Sequence, residues 1–175
     1  MSLIVRPAQA EDCACLAALA VSVWVDTYAR QGLRGALSRY VLATFTADRF
    51  LALLEAPAKR LLVATQAGHV IGYALVDLDA PCPIARGGRV ALETLYVSRR
   101  FQGQGVGRRL VDAASRIVGA QGALWLSCWV GNREAVDFYA RLGFRIVGQT
   151  TFKLEHEEHA NHIFVGSPAP FDSGK

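Results

Sequence analysis

The chain has 175 residues, of which 52% are apolar and 19% are charged, and its net charge is +4. This length and apolar fraction suit a single domain with one core, and a charged fraction of this size without long charge runs argues against disorder. We therefore expect one domain over residues 1–166 and a disordered tail over residues 167–175.

The cysteines and the most apolar stretch indicate the cellular compartment of the protein and whether it enters a membrane. The four cysteines have no metal-ligand spacing and are too sparse for a disulfide scaffold, which favours reduced thiols in a cytoplasmic protein. The stretch Cys13–Val25 is too short to span a bilayer, and acids precede it where a signal peptide carries positive charge. We interpret it as a buried helix and expect no membrane partner.

The N-terminal part of the chain predicts a short strand followed by helices. The strand covers Leu3–Arg6, and apolar residues over 11–26 then recur at the spacing of an amphipathic helix. Residues 27–46 are less regular, with Ser38 as the candidate cap of a short helix. Thr46 is predicted to cap a further helix, which ends before a proline.

Three strands are predicted next. Arg60–Thr65 and Val70–Asp77 are apolar and lie on either side of Gln66–His69, whose length and glycine predict a hairpin turn. A loop over residues 79–88 leads to Val90–Val97, which is rich in β-branched and aliphatic residues and suits a buried strand.

A glycine-rich turn joins this third strand to a helix that begins at Val106. Gly103, Gly105 and Gly107 allow positive φ angles and close backbone approach, so several N–H groups can converge on one anion at the helix N-terminus. Six arginines surround the turn, at positions 86, 89, 99, 100, 108 and 109. This local charge favours an anionic ligand over a nucleic-acid surface, with a tight turn and solvated arginines as the simpler alternative.

Spacing excludes two familiar phosphate-binding motifs. No Gly-Lys-Ser/Thr follows the glycines, so the turn is not a P-loop. Arg108 stands where the dinucleotide-binding fingerprint has its last glycine, so that motif is excluded as well.

The C-terminal part of the chain continues with alternating strands and helices. Ala123–Trp129 is a strand, so the glycine-turn helix lies in a βαβ unit whose two strands are parallel. Asn132 is predicted to cap the next helix, and Gly143 to end it. The last strands are predicted at Phe144–Thr151 and Ile163–Val165.

Two segments together resemble the Gcn5-related N-acetyltransferases (GNAT superfamily). Gln102-Gly103-Gln104-Gly105-Val106-Gly107 is similar to the signature Gln/Arg-x-x-Gly-x-Gly/Ala, which binds the pyrophosphate of acetyl-coenzyme A in that family. The segment from Asn132 to Phe144 resembles the family pattern Asn-x-x-Ala-x-x-Phe-Tyr-x-x-x-Gly-Phe. The resemblance covers about residues 3–166 and has both segments in the family's order.

The resemblance implies an α/β fold and a binding site for acetyl-CoA. The fold is a mixed, mostly antiparallel sheet of six or seven strands with about four helices, and its central parallel pair splays at the acetyl-CoA site. The backbone of Leu95, Tyr96 and Val97 is expected to pair with pantetheine, and an N–H near Leu95 to face the thioester oxygen. The remaining expected contacts to acetyl-CoA are Gln102, Gly103, Gln104, Gly105, Val106, Gly107, Arg108 and Asn132.

Two residues are candidates for catalysis. Tyr139 matches the family tyrosine that protonates the departing thiolate, although its helix face is apolar and a core role is an open alternative. Glu93 is the candidate general base, because a primary amine is mostly protonated at neutral pH. The alternative for Glu93 is a structural carboxylate that neutralises Arg89 or Arg99.

The acceptor is expected to be a small amine, weakly suggested to be polyamine-like, or else a protein N-terminus or lysine. Two other functions are open: a non-catalytic acyl-CoA-binding module, and a nucleic-acid-binding arginine patch with a steep salt dependence. The run Glu155–His159 with His162 suggests a metal, but we place it in a solvated turn and expect no metal site. A homodimer paired at the sheet edge is possible.

Overall fold

The computed structural model describes residues 2–84, 88–119, 122–154 and 157–166. The described chain divides into two compact units. The first comprises the residues up to Val76 together with Thr94–Leu110, and the second comprises Asp77–Glu93 and the residues from Val111 onward. The expected tail at 167–175 lies outside the described residues, and one domain over residues 1–166 stays a prediction.

Seven described strands make up one mixed sheet. They are β1 (Leu3–Pro7), β2 (Lys59–Gln66), β3 (His69–Asp77), β4 (Val90–Val97), β5 (Leu124–Trp129), β6 (Arg145–Leu154) and β7 (Glu157–Gly166). Their order across the sheet is β1-β2-β3-β4-β5-β7-β6. β7 runs antiparallel to β5 and to β6, and β1 runs antiparallel to β2. The predicted α/β fold with a mixed sheet of six or seven strands is confirmed.

The predicted parallel pair is β4 and β5. Val90 pairs with Leu124 and Ala91 pairs with Trp125. These positions lie at the beginning of both strands, as expected for a pair that splays further on. The βαβ unit that the glycine turn implied is therefore present.

Five helices are described, where the sequence predicted about four. They are α1 (Cys13–Tyr28), α2 (Gly35–Thr44), α3 (Ala47–Glu55), α4 (Val106–Val118) and α5 (Arg133–Arg141). In the described part of the chain, none has the length and apolar character that crossing a bilayer requires. α2 lies in the stretch that the sequence left irregular. Its cap is Arg34, whose carbonyl accepts from the Ser38 N–H at 3.0 Å, so the prediction of Ser38 as the cap was wrong.

The predicted helix cap at Thr46 and the predicted turn between β2 and β3 are both confirmed. The Thr46 side chain accepts a hydrogen bond from the Arg49 N–H at 3.2 Å, as an N-cap residue does. Ala67 and Gly68, with φ angles of 51° and 81°, form the two-residue turn between β2 and β3. Left-handed residues at both positions give the turn the twist that a hairpin needs.

The last two strands are longer than predicted. β6 continues to Leu154 and β7 begins at Glu157, so most of the acid- and histidine-rich run belongs to a strand and not to a loop. The strand pairing extends to Leu154 and Glu157. In the pair before it, the Lys153 Nζ lies 2.8 Å from the Glu158 carboxylate. Charged side chains on an edge hairpin conceal the alternation that usually reveals a strand.

Aromatic packing fills the core of the first unit. The buried cluster consists of Cys13, Leu16, Ala20, Phe50, Leu61, Val63, Tyr73 and Leu75. The Tyr73 ring makes edge contacts with Phe50 and Tyr96, each with ring centroids 5.5 Å apart. Burial raises the pKa of Tyr73, which keeps its phenol neutral.

An ion pair joins β1 to the start of α1. Arg6 donates two hydrogen bonds, at 2.7 and 2.9 Å, to the carboxylate of the buried residue Asp12. The same carboxylate accepts from the Gln9 N–H at 2.8 Å. Hydrogen bonds from Arg6 hold the pKa of Asp12 below its ordinary value of 3.8.

We expect Asp12→Asn to lower the free energy of unfolding at pH 7 by about 1–2 kcal/mol, because hydrogen bonds to charged partners are lost. Since the folded-state pKa is depressed, the stabilisation is present above the unfolded-state pKa and disappears as pH falls through the folded-state value. Urea unfolding of wild type and variant from pH 7 to pH 3 measures this convergence.

Asp79→Asn is the matched control, because Asp79 pairs with Arg89 but both side chains are about 70% exposed. We expect this variant to stay within about 0.5 kcal/mol of wild type at every pH. A difference between wild type and Asp12→Asn that persists unchanged at pH 3 would contradict the role assigned to the ion pair.

Candidate functional site

The glycine turn lies between the end of β4 and the start of α4, in the first unit. A short 3-10 turn at Arg99–Phe101 leads into it. Gly103 and Gly105 have φ angles of 74° and 81°, and open space surrounds the position of a Cβ on either residue. The turn is thus left-handed at two glycines and bare on its outer side, as the sequence predicted. Gly107 lies in the first turn of α4.

Two glutamine side chains brace this turn. The Nε2 atom of Gln102 donates to the Val97 carbonyl at 3.2 Å, and the Nε2 atom of Gln104 donates to the Arg100 carbonyl at 2.9 Å. Both amides therefore bond to main-chain carbonyls of the segment that precedes the turn. These bonds help to hold the shape of the turn. Because both amides are used in this way, the groups that the turn offers to a ligand are mainly backbone groups.

The start of α4 supplies backbone donors. The Arg109 N–H bonds to the Gly105 carbonyl at 3.1 Å. Val106 and Gly107 precede it in the first turn, where an α-helix provides no i−4 carbonyl for the N–H groups. These groups and the helix dipole create a positive potential at the turn.

Close packing fixes the direction of α4. The side chains of Val106 and Leu110 are buried, at 3% and 0% exposure. Both lie 3.3 Å from the position of a Cβ on Gly72, and the Tyr96 carbonyl lies 2.9 Å from it. Any larger residue at position 72 of β3 would push the helix away. The anchored side chains hold the N-terminus of α4 in place.

The arginines near the turn have different roles. Arg99 and Arg100 are exposed, and Arg108 is half-buried. The Arg109 guanidinium donates to the Leu3 carbonyl at 2.9 Å and so ties α4 to β1. Arg89 pairs with Asp79, and Arg86 lies outside the described residues. Two arginines of the expected cluster, Arg89 and Arg109, therefore bond to other parts of the protein.

Along the end of β4, the strand expected to bind pantetheine, successive residues direct their backbone N–H and carbonyl groups to opposite sides. The Ser98 N–H bonds to the Ile71 carbonyl at 2.9 Å, which directs Ser98 and, by alternation, Tyr96 toward β3. Leu95 and Val97 then direct their N–H and carbonyl groups away from β3. The Tyr96 ring packs against Tyr73 and Phe45. Of these three residues, Tyr96 thus directs its backbone groups toward β3, and Leu95 and Val97 direct theirs to the other side of β4.

Glu93, Asn132 and Tyr139 lie in the second unit. Glu93 is exposed on β4, and Arg89 forms an ion pair with Asp79. The Asn132 Oδ1 atom accepts from the Ala135 N–H at 3.2 Å, which confirms the predicted cap of α5.

Tyr139 lies near the end of α5 among phenylalanine rings. Its residue is 8% exposed, and the ring centroids of Phe138, Phe144 and Phe164 lie 5.2, 5.8 and 5.7 Å from its own. Gly143, with φ of 88°, ends the helix as predicted. The ring is therefore part of the core, and a catalytic role would belong to the hydroxyl alone.

The described residues contain no group of three His, Cys, Asp or Glu side chains close enough to hold a metal ion. His159 instead contacts Trp129 edge to face, with ring centroids 6.2 Å apart. Burial raises the pKa of the Cys128 thiol to about 11, which keeps it protonated.

Two polar residues of β7 were missed by the sequence analysis. Among the described residues, the Oδ1 atom of Asn161 and the Nδ1 atom of His162 are buried without a hydrogen-bond partner. From the sequence, this stretch is predicted to lie in the turn before the last strand, because its polar and charged residues show no apolar–polar alternation.

The family model and the similar proteins all point to N-acetyltransferases. Residues 31–144 match the model of the acetyltransferase (GNAT) family. An uncharacterized N-acetyltransferase of Mycobacterium tuberculosis is 29% identical over 135 residues, or 74% of this chain and 80% of that protein. The spermine/spermidine N(1)-acetyltransferase of Bacillus subtilis is 27% identical over 92 residues, or 50% of this chain and 60% of that protein.

A solved structure agrees with the fold. The putative acetyltransferase of Salmonella typhimurium, determined with acetyl-CoA, superposes with a TM-score of 0.64 at 18% identity and covers 100% of this chain and 99% of its own. The family model spans more than half of the residues, and the sheet, the glycine turn and α5 have the expected order. The chain therefore belongs to the acetyltransferase (GNAT) family and is an N-acetyltransferase.

Proposed function

We propose that this enzyme transfers the acetyl group of acetyl-CoA directly to a primary amine within a ternary complex. The observation that carries the proposal is the bare, left-handed turn at Gly103 and Gly105 in front of the α4 N-terminus. A pyrophosphate fits a surface of converging N–H groups without side chains. The acetyl-CoA in the Salmonella structure gives independent support, although the identity to that protein is low.

The donor is held mainly by backbone in this proposal. The N–H groups from Gln104 to Arg108 bind the pyrophosphate, with Gly103, Gly105 and Gly107 leaving room for it. The backbone groups of Leu95 and the N–H of Val97, directed away from β3, pair with pantetheine. Gln102 acts by holding the turn to the Val97 carbonyl, and Tyr96 by packing against Tyr73 in the core of the first unit. Asn132, also proposed to contact pantetheine, keeps its side-chain oxygen on the cap of α5.

Each remaining step of the transfer has a proposed group. Glu93 accepts a proton from the acceptor ammonium, so that the free amine attacks the thioester carbonyl. The N–H near Leu95 stabilises the negative oxygen of the tetrahedral intermediate. The carbon–sulfur bond then breaks, and the Tyr139 hydroxyl gives its proton to the coenzyme A thiolate. The nitrogen of the new amide releases its extra proton to solvent, and Tyr139 takes a proton back from solvent.

The proposed acceptor is a small amine of polyamine type. The support is the partial similarity to the spermine/spermidine acetyltransferase of Bacillus subtilis, which covers half of this chain. A protein N-terminus or lysine is the second acceptor class. We further propose a cytoplasmic location, in keeping with four free cysteines. The possible homodimer stays a prediction.

The function is tested by thiol release from acetyl-CoA with a panel of amines, peptides and amine antibiotics. We expect turnover with spermidine or another small amine. Acetyl-CoA binding without thiol release above background for any acceptor would contradict the enzyme assignment and favour a non-catalytic binding module.

Gly105→Ala tests the glycine turn. An alanine at a φ of 81° is strained by about 1–2 kcal/mol, and relief of that strain rotates the N–H groups away from the pyrophosphate. We expect the KM for acetyl-CoA to rise at least tenfold, measured by initial rates at saturating amine.

Gly68→Ala is the matched control for this variant. Gly68 has the same φ of 81° and the same open surroundings, but it lies in the β2–β3 hairpin. Its substitution should reduce stability by a similar amount and leave the KM for acetyl-CoA unchanged. Equal KM values for both variants would place the pyrophosphate elsewhere.

Tyr139→Phe removes the hydroxyl and leaves the packing of the ring. We expect kcat to fall by about 10²- to 10⁴-fold with little change in Tm, because proton transfer to the thiolate is lost. Tyr73→Phe, at another buried tyrosine, is the control and should keep kcat near wild type. A wild-type kcat in Tyr139→Phe would contradict the proposed proton donation and leave Tyr139 with a packing role only.

A further inference from the structure

The Oδ1 atom of Asn161, like the Nδ1 atom of His162 on the opposite face of β7, is a buried polar atom that the fold of the described residues leaves without a partner. In the described part of the chain this atom is buried and accepts no hydrogen bond. A buried carbonyl oxygen has lost its bonds to water, so leaving it without a donor costs free energy. An apolar side chain of the same shape would avoid that cost.

Asn161 lies in the middle of three strands, level with the end of β5. It pairs with Trp129 on β5 and with Thr150 on β6. Directly paired residues share a face of the sheet, so these two side chains flank the amide. Trp129 is the last residue of β5, and this edge of the sheet is where parallel strands of α/β proteins present their ligand sites.

Aromatic rings lie on the same face of the hairpin as this amide, between it and the exposed Phe152. His159 lies two residues before Asn161 on the same face and contacts the Trp129 ring edge to face. Phe152 pairs with His159, with ring centroids 6.4 Å apart, and is 37% exposed. The Trp129 ring also rests against the Gly131 backbone, where any Cβ would overlap it. The rings are therefore held in position by their neighbours.

The opposite end of this face is closed. Ile84 packs against Gly148, leaving no room for a side chain there. Gly148 pairs with Ile163, which is 1% exposed. The face thus changes from a sealed apolar end at Ile163, through the amide at Asn161, to an exposed ring at Phe152.

We propose that Asn161 is an amine-binding subsite. Its Oδ1 atom accepts a hydrogen bond from an N–H group of an aliphatic ammonium, and the carbon chain of that amine lies along the rings of Trp129, His159 and Phe152. A carbonyl oxygen selects a donor, and aromatic faces attract cations and cover methylene groups. The inference rests on the proposed function, because the amine bound here is the acceptor of that reaction.

The test is a direct binding measurement that does not need catalysis. Hexylamine is titrated into the protein saturated with coenzyme A, and binding is followed by NMR through the indole N–H of Trp129. That signal is assigned by its absence in Trp129→Phe. Hexyltrimethylammonium is the matched probe, because it has the same chain and charge but no N–H group.

Three variants separate the possibilities. Asn161→Leu should weaken hexylamine binding about tenfold or more and leave hexyltrimethylammonium binding unchanged, because only the former donates a hydrogen bond. Asn161→Asp should bind hexylamine at least as tightly as wild type, because it keeps an acceptor oxygen and adds a negative charge. Gln149→Ala is the control, since Gln149 is exposed on the same hairpin and pairs with His162 on the opposite face.

Stability is the second measurement. Since Oδ1 is buried without a donor, Asn161→Leu should keep or raise Tm. A lower Tm would assign the amide to the fold and overturn the proposal. So would equal hexylamine affinity in wild type and Asn161→Leu, absence of hexylamine binding to wild type, or equal weakening of both probes.

The outcomes also distinguish this subsite from the proposed function. Hexylamine binding that depends on Asn161, without acetyl transfer to any amine, would support the subsite and contradict the reaction. Transfer to amines with an unchanged acceptor KM in Asn161→Leu would support the reaction and overturn the subsite.

Discussion

The fixed position of the α4 N-terminus is the constraint on which the proposed donor site depends. Backbone donors bind an anion only when they converge, and convergence requires a turn that no side chain obstructs. Gly103 and Gly105 meet that requirement through positive φ angles. The amides of Gln102 and Gln104 then hold the turn to the preceding backbone, and Gly72 lets the helix approach β3 closely. The anion-binding character of this region comes from its backbone geometry. Side chains contribute indirectly, because their hydrogen bonds and packing hold that geometry in place.

The sequence predicted the parts of the fold that local chemistry determines. The caps at Thr46 and Asn132, the helix end at Gly143 and the hairpin turn at Gly68 depend on one residue and its immediate neighbours. The parallel pair of β4 and β5 followed from a helix placed between two apolar strands. In each case the deciding interaction spans a few residues, so the pattern is visible without tertiary information.

The errors arose where tertiary contacts overrode local pattern. α2 starts at Gly35, a weak helix former, and its buried residues Leu37 and Val41 make it a helix by packing. The polar composition around His159 indicated a loop, whereas pairing with β6 and β5 makes it a strand. Arg109 was grouped with ligand-binding arginines, but its bond to the Leu3 carbonyl joins residues far apart in the sequence. No local pattern contains these partners.

The composition of β7 changes from apolar to polar along the strand. Ile163 and Phe164 are almost fully buried, and both faces of the strand are apolar at that level. One step toward the end of β5, Asn161 and His162 put a buried polar atom on each face, opposite Trp129 and Cys128. Apolar residues at these two positions would have extended the core at a lower cost in free energy. Departures from the most stable choice concentrate where a protein binds its ligands, and for this reason we propose this level of the sheet as a binding surface.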